Sequence, residues 1–186
     1  MSRFTVTELM PGGPRLVVRH PVGDPRGAFT RLFCDDDLLA AGWSGPMRQA
    51  NHSRTEQAGT VRGMHFQRAP HAETKLVLCL NGTVWDVATD IRPDSPTFLT
   101  SVSAELSADN NTAMLIPPGF AHGFQTLTDT VDLLYFHSAS HVPEAEDGLN
   151  PLDRRLAIPW PREVTILSER DRSRPMLTDD FRDVML

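Results

Sequence analysis

Between residues 15 and 138 the chain is a succession of short apolar or alternating runs, each closed by a turn signal. The runs are RLVVRH (15–20), AFTRLFC (28–34), GTVRGMHFQ (59–67), TKLVLCL (74–80), TVWDVATDI (83–91), TFLTSVSAEL (97–106), TAMLIP (112–117), HGFQTL (122–127) and TVDLLYFHS (130–138). Strands recurring roughly every 8–14 residues argue for an all-β sandwich or barrel. Asn81-Gly82 predicts a type I′ hairpin between the runs it joins, and the TDT (128–130) and ADNN (108–111) segments predict two further turns. Helix is confined to short pieces: DDDLLAAG (35–42), with acidic residues in its first turn and Gly42 at its end, SERDR (168–172), and a terminal TDDFRDV (178–184). Residues 143–161 read as an irregular loop, and the tail beyond Pro161 as a wrap over the barrel.

The length of 186 residues fits one domain spanning 1–186. A net charge of −6 leaves no basic face for nucleic acid. No apolar run approaches the roughly 20 residues of a membrane span. The opening MSRFTVTELMPGG has no signal core, which predicts a cytoplasmic protein. Cys34 and Cys79 form neither a disulfide framework nor a zinc set. The basic residues are lopsided: of 18, only Lys75 is lysine, and Tyr135 is the single tyrosine. Any role that needs an amine or a phenol therefore has one candidate each.

Alternation in VRGMHFQ places Val61, Gly63, His65 and Gln67 on one face and Arg62, Met64 and Phe66 on the other. The position two after His65 is Gln67, so the HxH spacing of a metal-binding barrel is missing, and no metal or other cofactor is expected. PPGFAHGF (117–124) looks like the second cupin motif, which alone marks the fold. Neither cysteine has an activating neighbour, and no GxSxG or phosphate-cradling glycine loop is present. The polar groups left at or near strands are Arg62, His65, Lys75, His122 and Tyr135. A histidine base, a phenol acid and cationic donors suit removal of a proton beside a carbonyl. By spacing alone, His65 also reads as a hydrogen-bonded core histidine, Lys75 as a solvated strand-start lysine and Tyr135 as a core tyrosine.

Several segments taken together resemble dTDP-4-dehydrorhamnose 3,5-epimerases: GDPRGAFTRLF (23–33), QANHSRTEQAGTVRGMHFQ (49–67), KLVLCLNGTVWDVATDIRPDSPTF (75–98), IPPGFAHGF (116–124), LAIPWP (156–161) and ILSERD (166–171). The resemblance implies a metal-free cupin jelly roll (a double-stranded β-helix barrel with a few short helices). It also implies a homodimer exchanging N-terminal strands and a nucleotide-diphosphate 4-keto-6-deoxysugar substrate. In this numbering it implies His65 as base, Asp171 as the base's carboxylate partner, Tyr135 as acid, and Lys75 with Arg62 as stabilisers of the keto oxygen. Gln49, Asn51, His122 and Arg170 would line or adjoin the sugar site, and Arg26 and Phe29 would reach the partner's nucleotide.

Two positions depart from the pattern. The family usually has glutamate where this chain has Arg31, and a guanidinium can only donate. That substitution raises a CDP- or other nucleotide-linked substrate as an alternative. The family commonly has tyrosine where this chain has His141, which raises epimerisation at carbon 3 or carbon 5 alone. A metal-dependent cupin and a non-catalytic sugar-nucleotide binder are the competing classes. The first lacks HxH, and the second has no reason to keep His65, Asp171, Lys75 and Tyr135 together.

Overall fold

A computed structural model describes residues 3–182. In chain order the strands are β1 (Phe4–Glu8), β2 (Arg15–Arg19), β3 (Val22–Asp24), β4 (Gly27–Phe29), β5 (Gln49–Thr55), β6 (Thr60–Gln67) and β7 (Lys75–Asn81). They continue as β8 (Thr83–Asp90), β9 (Ser101–Ser107), β10 (Thr112–Ile116), β11 (Phe120–Thr126), β12 (Val131–His137), β13 (Glu146–Gly148) and β14 (Ile166–Leu167). Two short helices complete the set, α1 (Asp35–Ala40) and α2 (Glu169–Arg172).

One sheet has the order β1-β2-β10-β7-β12-β5 and the other β13-β6-β11-β8-β9, with β14 parallel to β6. From β6 to β12 the chain crosses to the other sheet at every step except β8 to β9, which pair within one sheet, and this is the winding of a cupin jelly roll. This winding changes the meaning of the turns. Asn81-Gly82 is not a hairpin: β7 and β8 lie in opposite sheets, and only Gly82 takes positive φ (76°), whereas a type I′ turn needs both. The ADNN and TDT turns likewise carry the chain from one sheet to the other. Turn chemistry reports a reversal, and both hairpins and sheet-to-sheet corners use it.

Near-continuous apolar stretches such as Leu76-Val77-Leu78-Cys79 are buried on both faces. Val77 and Cys79 point between the sheets to Val84, Leu106, Met114 and Phe124. Leu76 and Leu78 point outward beneath α1 and Trp43. The opposite sheet is covered on its outer face by Leu149, Leu156 and Trp160 of the long C-terminal segment. Full burial of each such side chain contributes ~1.5–3 kcal/mol. The core between the sheets fills one part of the barrel and stops at Tyr135, where polar residues take over.

Three other expectations change. AFTRLFC contributes only Gly27–Phe29 to a strand, and Leu32, Phe33 and Cys34 pack against the α1 cluster instead. Residues 178–182 form a turn rather than a helix, while 183 and 184 lie outside the described residues. The 143–161 loop contains the short strand β13. The structure adds β1, a short Phe4-Thr5-Val6-Thr7 alternation, and β5, which carries no apolar alternation and whose pairing with β12 comes from tertiary context.

The DxRxxSPTF run organises a corner at the end of β8. Asp90, fully buried, accepts from Arg92 at 2.7 Å, Ser95 at 2.5 Å and Thr97 at 2.7 Å. Burial raises its pKa, but these donors outweigh burial and hold the carboxyl down at about 2. Because the folded value lies below the ordinary ~3.9, the stabilisation is full above that pH and is lost as pH falls through about 2. Replacement Asp90→Asn is expected to remove about 2 kcal/mol at neutral pH. It should lower Tm by about 4–8 °C and flatten the acid side of the pH–stability curve, as read by thermal unfolding between pH 2 and 7.

Candidate active site

Where the apolar core ends, the barrel opens into a cavity of about 500 Å³ between the sheets. Strand registry explains what lines it. Directly opposite residues of antiparallel strands share a face. Tyr135 of β12 lies opposite Asn51 of β5 and Val77 of β7, and His137 lies opposite Gln49 and Lys75. Gln49, Asn51, Tyr135, His137 and Lys75 therefore enter the cavity from three adjacent strands.

The opposite wall is β6 paired with β11. His65 lies opposite His122, and Arg62 lies opposite Phe124, so β6 spends one residue more than β11 between these pairs. The extra residue is a β-bulge, and it reverses the alternation expected for VRGMHFQ. Arg62 and His65, three apart and assigned to opposite faces by period two, both face the cavity. The two backbones close on each other beside the bulge. A Cβ on Gly63 (φ +124°) would lie 2.5 Å from the Cα of Gly123.

His65 Nε2 lies 2.7 Å from Asp171 Oδ1. Asp171 is 3% exposed and stands on α2, whose N-cap Ser168 accepts from the Asp171 amide. Burial pushes the Asp171 carboxyl up, but its bonds to His65 and neighbouring donors prevail and hold it below the ordinary range. It is thus a carboxylate that accepts Nε2–H, which leaves Nδ1 of His65 as the basic nitrogen. Tyr135 shares a 3.2 Å hydrogen bond with Ser53. Burial, reinforced by the Asp86 charge, drives its phenol pKa upward against the opposing effect of Ser53, so the group stays protonated and can act as an acid. His122 sits edge-on to the Tyr135 ring at 6.2 Å and binds Asp86 at 2.8 Å.

The mouth of the cavity carries His141, whose backbone N–H donates to Gln49 Oε1 at 2.7 Å. His141 Nε2 and Arg170 Nη2 converge on Glu146 Oε2 at 3.0 and 3.1 Å. Burial raises the Glu146 carboxyl, but those two partners bring it below its usual value. Arg170 thus acts behind Glu146, which itself lines the cavity. Among the described residues, no group of three His, Cys, Asp or Glu is placed to hold a metal ion.

Three predicted binding residues lie elsewhere. Arg26 is highly exposed and pairs with Asp24 at 2.5 Å. Phe29 is 66% exposed on the separate β3–β4 hairpin. Arg31 pairs with Asp37 of α1 at 3.3 Å. Sequence reasoning also missed Asp86, Ser53, Glu73, His137 and Glu146. The first two were legible in principle: Asp86 is an acidic residue inside an apolar strand run, and Ser53 sits two positions from Asn51.

The chain matches the sequence model described as dTDP-4-dehydrorhamnose 3,5-epimerase over residues 12–179. It is 40% identical over 166 residues to the protein of that name from Sinorhizobium fredii, covering 89% of this chain and 85% of the relative. A crystal structure of the Bacillus anthracis enzyme of that name, with TDP and PPi bound, superposes with a TM-score of 0.89 at 39% identity, covering 94% of this chain and 99% of that one. The Streptomyces bikiniensis 3'-monoepimerase ChmJ, in complex with dTDP-quinovose, superposes with a TM-score of 0.78 at 33% identity, covering 87% and 83%.

The His65–Asp171 pair gives a direct test. Asp171→Asn is expected to slow substrate proton exchange about 10²–10⁴-fold while the circular dichroism spectrum stays unchanged, since the amide no longer fixes the tautomer or stabilises the imidazolium.

Proposed function

This chain belongs to the dTDP-4-dehydrorhamnose 3,5-epimerase family, and we propose that its cavity inverts carbons 3 and 5 of a nucleotide-linked 4-keto-6-deoxyhexose with His65 as base and Tyr135 as acid. The observation that carries this reading is the placement of an Asp171-backed imidazole and a buried, protonated phenol around one cavity.

A ketone at carbon 4 acidifies the hydrogens on both carbon 3 and carbon 5. His65 Nδ1 takes one of these protons, and Asp171 stabilises the resulting imidazolium. The electron pair moves onto the carbon-4 oxygen, where Arg62 and Lys75 offset the negative charge. Tyr135 returns a proton to the opposite face of the same carbon, which inverts it. The phenolate then recovers a proton, and the imidazolium gives one up, before the next cycle. One base and one acid suffice for both centres because each is adjacent to the same carbonyl.

Gln49 and Asn51 supply amides for sugar hydroxyls, and His122 closes the wall beside the phenol. Relatives carrying thymidine nucleotides favour dTDP as the carrier. The Arg31 guanidinium already has an acidic partner in Asp37, so it is not a free donor in search of a cytosine ring. His141, bonded to Glu146 at the position where the family resemblance implies tyrosine, favours a second reading in which one carbon alone is inverted.

A homodimer is supported by the β3–β4 hairpin. It joins neither large sheet, and it exposes Val22 and Phe29 at 54% and 66%, as an arm reaching a partner's nucleotide would. No helix of the described residues is long and apolar enough to cross a membrane. Two unpaired cysteines agree with a cytoplasmic setting.

Deuterium incorporation at carbons 3 and 5, followed by NMR, tests the chemistry. The wild type should exchange both positions. His65→Asn should exchange neither above background, and Tyr135→Phe should still bind dTDP but lose inversion by about 10²-fold or more. Exchange at one carbon only in the wild type assigns the single-centre reading. Calorimetry with dTDP and CDP tests the nucleotide. The expected result is at least ~10-fold tighter dTDP binding, a difference of about 1.4 kcal/mol, and an equal or reversed preference would reinstate the CDP alternative.

A further inference from the structure

We propose that Glu73 is a positioning residue for this reaction, a buried carboxylate that aims Lys75 and, through His137, Asn51 at the substrate. Glu73 precedes β7 and is 9% exposed. Its Oε1 lies 3.2 Å from Lys75 Nζ, and its Oε2 lies 2.9 Å from His137 Nδ1. Both oxygens are engaged by groups that line the cavity. The proposal rests on the reading of Lys75 and Asn51 as groups that touch substrate.

Three features point to aiming rather than simple packing. The first is that Lys75 is the sole lysine of the chain and its side chain is only 12% exposed. Burying an ammonium is costly unless a carboxylate stands beside it. Glu73 supplies that charge and restricts a flexible four-carbon stem to one direction.

The second is a consequence of hydrogen-bond polarity. An ionised carboxylate only accepts, so His137 must donate from Nδ1. In the neutral ring Nε2 is then an acceptor, and the group beside it at 3.4 Å is Asn51 Nδ2, a donor. This order turns the Asn51 carbonyl oxygen away from His137 and leaves it free to accept from a sugar hydroxyl.

The third is registry. Lys75, His137 and Gln49 are directly opposite one another on β7, β12 and β5, with Asn51 two residues along β5. A single carboxylate at the start of β7 therefore governs donors and acceptors on three adjacent strands. Burial raises the Glu73 carboxyl, and His137 and Lys75 together bring it below its usual value, so it is held ionised.

The experiment is a double-mutant cycle on the full-length enzyme, read as kcat and KM for epimerisation with dTDP affinity as the check on folding. Lys75→Met alone should cost about 10²–10³-fold in kcat, the cost of one oxyanion donor. Glu73→Gln alone should lower kcat on the order of 10-fold, part of that effect, with dTDP affinity unchanged, and Glu73→Asp should recover part of the loss. In the Lys75→Met background, Glu73→Gln should cause no further loss of kcat or a partial recovery, because it neutralises a carboxylate left without its cation.

A Glu73→Gln variant with wild-type kcat overturns the proposal, as does the same 10-fold loss in both backgrounds. If Lys75→Met itself keeps wild-type kcat, the oxyanion role of Lys75 fails, and the aiming proposal falls with it. Should Glu73→Gln lose dTDP binding, His137→Gln keeps the carboxylate and disturbs only the Asn51 arm. Its expected signature is a KM raised about 10-fold at near-constant kcat, the loss of about one well-made polar contact, and an unchanged KM overturns the proposal.

Discussion

The close approach of β6 and β11 at Gly63 and Gly123 is the constraint on which the site depends. A Cβ on Gly123 would meet the Arg62 carbonyl oxygen at 2.8 Å, and one on Gly63 would meet the His122 carbonyl oxygen at the same distance. With no side chain on either strand here, β6 fits one extra residue into the ladder and turns Arg62 and His65 into the same cavity. The same strand receives β13 and β14 on its far edge. The chain leaving β14 runs into α2, so that Asp171 arrives behind His65. The proposed base, its carboxylate and one cation are therefore placed by the pairing of a single strand.

The cavity repeats one electrostatic device. His65 has Asp171, His122 has Asp86, His137 has Glu73 and His141 has Glu146. In each case the carboxylate lies deeper than the imidazole it serves. An imidazole held this way has a defined tautomer and a defined free nitrogen. A sugar offers hydroxyls and a ketone that must be told apart by donor and acceptor, and defined tautomers supply that distinction without mobile charge.

Covering both faces of both sheets explains how so polar a cavity is tolerated. Outside the barrel, α1 with Trp43 covers one sheet and the 149–160 segment covers the other. The strands need not reserve one face for solvent, so the interior at the mouth can be given to function. The Asp90 corner shows the same economy. Its Arg, Ser and Thr partners belong to the most recognisable run of the sequence, yet their task is to hold a buried carboxylate at the end of β8.

Short strands with corner chemistry made the all-β class legible, because local pattern and burial agree in β2, β6–β8 and β10–β12. Scarcity of residue types likewise singled out Lys75 and Tyr135 as candidates, and the family's motifs added His65 and Asp171. Other features depend on who the neighbours are. Asn81-Gly82 looks the same whether it closes a hairpin or joins two sheets. Period two could not show the bulge that brings Arg62 beside His65, because a bulge is a mismatch between two strands and only one is read at a time. Asp86 stands out as an acid inside an apolar run, but the roles of Glu73 and Asp86 were unreadable for a related reason. Their roles are defined by His137 and His122, 64 and 36 residues away, and a carboxylate becomes a functional group only when folding places an imidazole beside it.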